Sequence, residues 1–216
     1  MEKLLGLFTS KPVAIVEGEN FFKKAFRFMF LFAAIVFAVY GAYSVILVTI
    51  DYFDVVFDMD AFPIIRHLVL FILCLLISVG TYLFVVGALY NRAKLIINDP
   101  TTNLVDIMPG IFKTIGIIGA IIPIAIGLIT LLSTLLAAMP FFPMDGLVGL
   151  ISRISFVNLP GAFSGLGVDT FKEYFSQLFQ VGFSMMILSI FVAFVNVVGM
   201  YLVSAIYKLV VAFLRK

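Results

Sequence analysis

Four stretches of at least 23 consecutive residues contain no Asp, Glu, Lys, Arg or His, and they lie at about 28–50, 68–90, 114–139 and 178–207. Crossing a hydrocarbon core of about 30 Å takes about 20 apolar residues in a helix, because each adds ~1.5 Å. Only helices and closed barrels satisfy every backbone group in lipid, and uninterrupted apolar runs lack the alternation of barrel strands. The sequence therefore predicts an all-α membrane protein, a bundle of four transmembrane helices that forms one membrane domain over residues 1–216.

The overall composition also favours lipid as the solvent of this chain. Hydrophobic residues make up 63% of the sequence and charged residues 12%, whereas soluble domains have about 45–50% and about 25%. The net charge of +2 gives no indication of nucleic-acid binding. The first apolar stretch is much longer than the roughly 7–15 residues of a signal-peptide core, so we expect a retained helix. These features predict a multi-pass protein of the cell membrane.

The positive charges predict the orientation of the four spans. Lys and Arg concentrate in short loops on the cytoplasmic side. Eleven of the fourteen are found before the first span, between the second and third, or after the fourth. They are Lys3, Lys11, Lys23, Lys24, Arg27, Arg92, Lys94, Lys113, Lys208, Arg215 and Lys216. Both termini, the interfacial segment 1–27 and the middle loop 91–113 are therefore expected on the cytoplasmic side.

The two outer loops differ in character. Loop 51–67 carries Asp51, Asp54 and Asp58, which share one face if the first helix continues. They form a divalent-cation site or a cation-attracting vestibule, or else an ordinary solvated acidic face. Loop 140–177 is strongly apolar around residues 147–157, too short to span, and is typical of a re-entrant or interfacial segment.

Turn and capping signals predict where helices begin and end. In the middle loop, Pro109-Gly110 indicates a turn, and Asn103 is suited to cap a single turn of helix before it. The sequence Thr170-Phe171-Lys172-Glu173 has the form of a capping box. The last helix is therefore expected to run from about Thr170 to about Lys208.

Small residues on the third span predict a face for close contact. At about 100° per residue, one side carries Gly, Ala, Pro and Thr, and the other carries Ile and Leu, including Ile129. Such a face allows close helix packing or, alternatively, lines a narrow path for a neutral solute. Its central residues are Gly116, Gly119, Pro123, Gly127, Thr130 and Thr134, and the matching stripe on the fourth span includes Asn196. The other two spans carry smaller candidate packing faces, with Ala34, Ala38, Gly41 and Ala42 on the first and Gly80 and Gly87 on the second.

The sequence lacks the residues that several classes of function require. Ion-coupled transport and proton pumping need ionisable groups within the membrane. A haem or zinc site would need more ligands than His67 and the single Cys74 provide. Neither a phosphate-binding glycine loop nor a nucleophile elbow occurs. We therefore expect no cofactor, no metal and no enzymatic activity.

Three functional hypotheses remain. The first is a non-catalytic accessory or assembly subunit, associated with another membrane protein or with itself. The second is an oligomeric channel or facilitator for a small or neutral solute, built on the third and fourth helices. The third is a membrane enzyme or lipid-handling protein with its site in the outer loop, at Asp145, Arg153, Asp169 and Glu173.

Overall fold

The computed structural model describes residues 21–57, 61–98, 104–138, 141, 143–144 and 175–214. Over these residues the secondary structure is helical: α1 is Phe21–Phe57, α2 is Ala61–Asn98, α3 is Leu104–Leu136 and α4 is Phe175–Leu214. All four helices are long and apolar enough to cross a membrane. The predicted four-helix membrane bundle is thereby confirmed.

Each helix is longer than the apolar stretch that predicted it. The lengths are 37, 38, 33 and 40 residues, or about 50–60 Å at ~1.5 Å per residue. A hydrocarbon core is about 30 Å thick, so the helices tilt or extend beyond it. Most of loop 51–67 is thus helical, and α4 continues six residues past the end expected at Lys208. Its expected start at Thr170 lies outside the described residues.

The turn predicted at Pro109-Gly110 is wrong, because both residues lie inside α3. The helix begins at Leu104, directly after the expected cap Asn103, and continues without a break. Pro109 is the sixth residue of α3, so its missing N–H leaves the Val105 carbonyl oxygen without its intrahelical donor. Ser204 of α4 also donates to the carbonyl oxygen of Pro109 at 3.1 Å, which ties this turn into the bundle.

Helices that follow one another in the chain pack against one another. The extensive contacts among the described residues are α1 with α2, α2 with α3 and, largest of all, α3 with α4. The apolar window of α3 is 50% buried, whereas that of α1 is 11% buried. α3 is therefore central to the bundle, and α1 is a peripheral helix with most of its surface uncovered by the described chain.

The side of α3 that carries Ile and Leu is partly buried, because α3 packs against two helices. Ile117 and Leu135 on that side are exposed, but Ile129 is fully buried. The sequence pattern identified one contact face on this helix. A helix that packs against two neighbours buries a second face, and large aliphatic residues fill the second contact.

α3 ends in a hydrogen-bonded C-cap built on an alanine. Ala137 has a φ of 48°, the left-handed conformation that usually requires glycine. The Ala138 amide donates to the Ser133 carbonyl at 3.1 Å, and the Ala137 amide donates to the Thr134 carbonyl at 3.3 Å. These two bonds define a Schellman motif, and the Ser133 hydroxyl adds a bond to the Ala138 carbonyl at 2.9 Å.

The chain beyond this cap packs between α1 and α2. The carbonyl oxygen of Pro143 accepts hydrogen bonds from the Ser44 hydroxyl at 2.9 Å and the Tyr82 hydroxyl at 3.0 Å. Both donors come from the predicted spans, where backbone outside a helix is tolerated only if protein covers and satisfies it. Phe141 and Met144 beside it are fully buried. The stretch 147–157, predicted to be re-entrant or interfacial, lies outside the described residues.

An aromatic cluster of Tyr52, Phe71 and Phe141 forms where α1, α2 and the chain after α3 meet. The Phe141 ring lies 5.3 Å from the Tyr52 ring and 4.8 Å from the Phe71 ring, in edge-on geometries. Tyr52 also donates to the His67 carbonyl at 3.0 Å. Such aromatic pairs stabilise a contact beyond the area they bury.

The small-residue faces predicted on α1 and α2 are only partly correct. Gly41 packs on the Tyr82 ring and Ala34 is buried. Ala38 and Ala42, however, are exposed. Gly80 and Gly87 of α2 face open space, since a Cβ at either would have no atom within 4 Å. On α2, the close contact with Gly41 is made by the ring of Tyr82 and not by a small residue.

Candidate functional site

The third-span face was the main candidate site in the sequence, and the structure places it against α4. Its six central residues, from Gly116 to Thr134, are buried, as is Asn196 on the facing helix. Residues of α4 contact it turn by turn, and they include Met200, Asn196, Ser189 and Gly182. A Cβ at Gly116 would lie 2.8 Å from the Met200 Cβ, and one at Gly127 would lie 2.6 Å from the Ser189 Cβ.

The contact between α3 and α4 is also tight at Gly182 and is looser at Gly119. A Cβ added at Gly182 of α4 would lie 2.9 Å from the Thr134 Cβ. At Gly119 the nearest atoms belong to the Asn196 side chain, at 3.6 Å. Real Cβ atoms need more room than 3 Å, so at Gly116, Gly127 and Gly182 only glycine fits the present helix separation. The face is filled by side chains of α4.

A proline on α3 accounts for the polar contact at the centre of this face. Pro123 has no backbone N–H, so the carbonyl oxygen of Gly119 loses its intrahelical donor. The Asn196 side-chain nitrogen donates to that oxygen at 2.9 Å. Asn196 is 2% exposed, and a buried amide in this position joins the two helices where no water is present.

The hydroxyl groups on the face bond mostly to their own helix. Thr130 donates to the Ile126 carbonyl and Thr134 donates to the Leu131 carbonyl. Ser189 is fully buried, and its hydroxyl has no partner among the described residues. The polar atoms of the face are therefore used mainly within the helix pair.

The structure describes two of the three residues of the predicted acidic cluster. Asp51 and Asp54 are both exposed on the last turns of α1, and Asp58 lies outside the described residues. Nowhere in the described ranges do three or more His, Cys, Asp or Glu residues come close enough to hold a metal ion. The outer-loop residues Asp145, Arg153, Asp169 and Glu173 are also outside the described part of the chain.

A basic cleft that the sequence reasoning missed lies between α2 and α3, near Tyr201 of α4. Its volume is about 500 Å³, and Arg92 and Lys113 supply its positive charge. The Arg92 guanidinium donates to the Ile107 carbonyl at 3.1 Å, and the Lys113 ammonium lies 5.0 Å from the centre of the Tyr201 ring. The available sequence signal was a pair of cations, one just after the second predicted span and one just before the third. The charge pattern was interpreted only as a sign of topology.

The outward surface of α1 carries polar groups where lipid offers no partner. We define the α1 outer face as Phe32, Val36, Tyr40, Tyr43 and Leu47, all exposed and on one side of the helix. Tyr40 and Tyr43 lie near the middle of the predicted span 28–50, and they are 39% and 59% exposed. Neither hydroxyl has a hydrogen-bond partner within the described chain.

Comparison of the sequence with protein-family models, of the sequence with characterised proteins, and of the fold with solved structures gives no significant match.

Proposed function

We propose that this chain is a non-catalytic accessory or assembly subunit of a membrane protein complex, and that the α1 outer face binds a transmembrane helix of its partner. The observation that carries the proposal is the pair of exposed tyrosines at mid-span. Tyrosine is enriched at the membrane interface, where its hydroxyl reaches water. At the centre of the bilayer that hydroxyl gains a partner only from protein, and leaving it without one has a cost.

The burial pattern of the helices supports the same choice. α1 contacts mainly α2, and its apolar window is 11% buried. A helix held this loosely by its own chain is suited to contact another subunit. Phe32, Val36 and Leu47 surround the tyrosines with large apolar side chains, which supply the packing surface on which helix association in lipid depends.

The alternative, a channel for a neutral solute on α3 and α4, has less support. Its candidate path was the face with Gly116, Gly119 and Gly127. That face is occupied by Met200, Asn196 and Ser189. A solute path would require α3 and α4 to separate, and their mutual contact is the largest in the described structure.

Purification in mild detergent at native expression level tests the proposal. The expected result is a partner membrane protein in stoichiometric amount, lost when Tyr40 and Tyr43 are both changed to Ala. Phe194→Ala is the matched control, since Phe194 is 63% exposed near the middle of α4. The proposal is contradicted if the protein purifies alone or as a homo-oligomer, or if the tyrosine variant retains the same partner in the same amount.

A further inference from the structure

We infer that the cleft between α2 and α3 is a binding site for one anionic glycerophospholipid, with its phosphate held by Arg92 and Lys113 and an acyl chain lying along Gly87. The inference is independent of the proposed subunit role. It rests on the charge, depth and shape of the cleft.

The charged side chains that line the cleft are positive. The lining residues that the structure describes include two cations and no carboxylate. Both cations are held in place: Arg92 by its bond to the Ile107 carbonyl, and Lys113 by the ring of Tyr201. A cation over an aromatic face is attracted by the ring, which positions it without neutralising its charge. A basic pocket between transmembrane helices is complementary to a lipid phosphate.

The depth of the cations matches that of a headgroup. Arg92 lies two residues beyond the predicted span 68–90, and Lys113 lies one residue before the predicted span 114–139. Both are thus at the same edge of the hydrocarbon core. Asn91 and Thr114 lie beside them and complete a polar rim.

The cleft becomes apolar in the direction of the membrane interior. Phe84 and Ile117, both within predicted spans, line its deeper part. Gly87 lies between them and the cations, and the space where its Cβ would project is open to 4 Å. A groove that is polar at one end and apolar at the other is shaped for an amphiphile, whereas free phosphate would use only the polar end.

The cleft is larger than a second basic groove at the same end of the protein. That groove, between α1 and α2, contains Arg27 and Lys94 but has a volume of about 180 Å³. Ligand sites are generally about 300–1,000 Å³. The cleft at Arg92, of about 500 Å³, is within this range.

Native mass spectrometry of the purified full-length protein tests the assignment. The probe is an equimolar mixture of phosphatidylglycerol and phosphatidylcholine with identical acyl chains. We expect preferential retention of the first phosphatidylglycerol, reduced about fivefold by Lys113→Gln, since a basic residue contributes roughly that factor to anionic-lipid binding. Lys94→Gln, in the smaller groove, should leave it unchanged.

A second pair of variants tests the acyl-chain end. Gly87→Leu fills the groove, and we expect it to reduce retention of either lipid at this site several-fold. Gly80→Leu is the matched control, since position 80 is on the same helix, equally open, and outside the cleft. Helix content by circular dichroism verifies that each variant is folded, and Arg92 is left intact because it also binds a backbone carbonyl.

Three outcomes would overturn the inference. Equal retention of both lipids by the unmodified protein would remove the headgroup preference. An equal loss with Lys94→Gln would show general attraction to a charged surface. Displacement of the lipid by millimolar inorganic phosphate, together with no effect of Gly87→Leu, would show a small-anion site in place of a lipid site.

Discussion

Asn196 of α4 donates a hydrogen bond, at 2.9 Å, to the one backbone carbonyl that Pro123 deprives of its partner within α3, that of Gly119. The proline and the asparagine are therefore complementary, although they lie on different helices. In lipid no water is available to satisfy the carbonyl, so the bond between the helices replaces a bond within one helix.

This relationship predicts a coupling between the two residues. Asn196→Ala should lower the free energy of unfolding by about 1 kcal/mol, because the Gly119 carbonyl is left buried without its donor. In a Pro123→Ala background the backbone amide of residue 123 bonds to that carbonyl, so the same change should have a smaller effect. Reversible unfolding in mixed micelles measures all four proteins of the cycle.

Asn98→Ala is the control for this cycle, because Asn98 is exposed at the end of α2. It should leave the free energy of unfolding almost unchanged in either background. Equal effects of Asn196→Ala with and without Pro123 would disprove the link between the proline and the asparagine.

The close approach of α3 and α4 predicts that position 127 does not tolerate a side chain larger than that of glycine. Gly127→Leu should destabilise the protein by several kcal/mol or prevent folding, because even a Cβ would overlap Ser189 and come within 3.3 Å of the Met186 backbone. Gly80→Leu adds the same side chain in open space on α2. It should leave stability unchanged or raise it by up to about 1 kcal/mol through helix propensity. Thermal stability in detergent compares the two, and equal tolerance at both positions would contradict the close contact.

The left-handed residue at the end of α3 predicts a stabilising change. Ala137→Gly should raise the free energy of unfolding by up to about 1 kcal/mol, because glycine adopts a φ of 48° without the strain that a Cβ brings. Ala205→Gly, at an exposed position inside α4, should instead lower it by about 0.5–1 kcal/mol. Loss of stability in both variants would argue against the Schellman cap.

The two donors to Pro143 predict a non-additive effect. Ser44→Ala and Tyr82→Phe should each cost little, since the other donor still satisfies the carbonyl. The double variant should cost more than their sum, about 1–3 kcal/mol, because the carbonyl is then buried without a partner. Maleimide labelling of Met144→Cys, in a Cys74→Ala background, measures whether this buried residue has become accessible. Additive effects and unchanged labelling would contradict the arrangement.

The spans could be predicted because lipid imposes a strong local rule. A helix that crosses a membrane needs a long apolar run. The runs 28–50, 68–90 and 178–207 each lie inside one helix, and α3 contains the third run up to Leu136. The ends of the helices could not be predicted in the same way. Outside the hydrocarbon core polar residues are also accepted in helices, and α1 continues through Asp51 and Asp54 to Phe57. Pro109 predicted a turn where α3 is continuous, because contacts with the rest of the bundle, including the Ser204 bond to the Pro109 carbonyl, outweigh the loss of one backbone donor.

Contacts between helices were harder to anticipate than the helices themselves. The periodicity of small residues singled out Gly116 and Gly127 on α3. Nothing local in the sequence indicates that Pro143 lies between Ser44 and Tyr82, which are 99 and 61 residues away. The cleft at Arg92 and Lys113 likewise depends on how α2, α3 and α4 are arranged in space.

Site-specific photo-crosslinking in native membranes tests the central claim, that the α1 outer face binds a partner helix. A benzophenone side chain replaces Tyr43, and in a separate protein it replaces Phe194, which has similar exposure at similar depth on α4. The account predicts one discrete protein adduct from position 43, in high yield and of a mass other than twice that of this chain, with none from position 194. A dimer of this chain, lipid adducts alone, or the same pattern from both positions would contradict it.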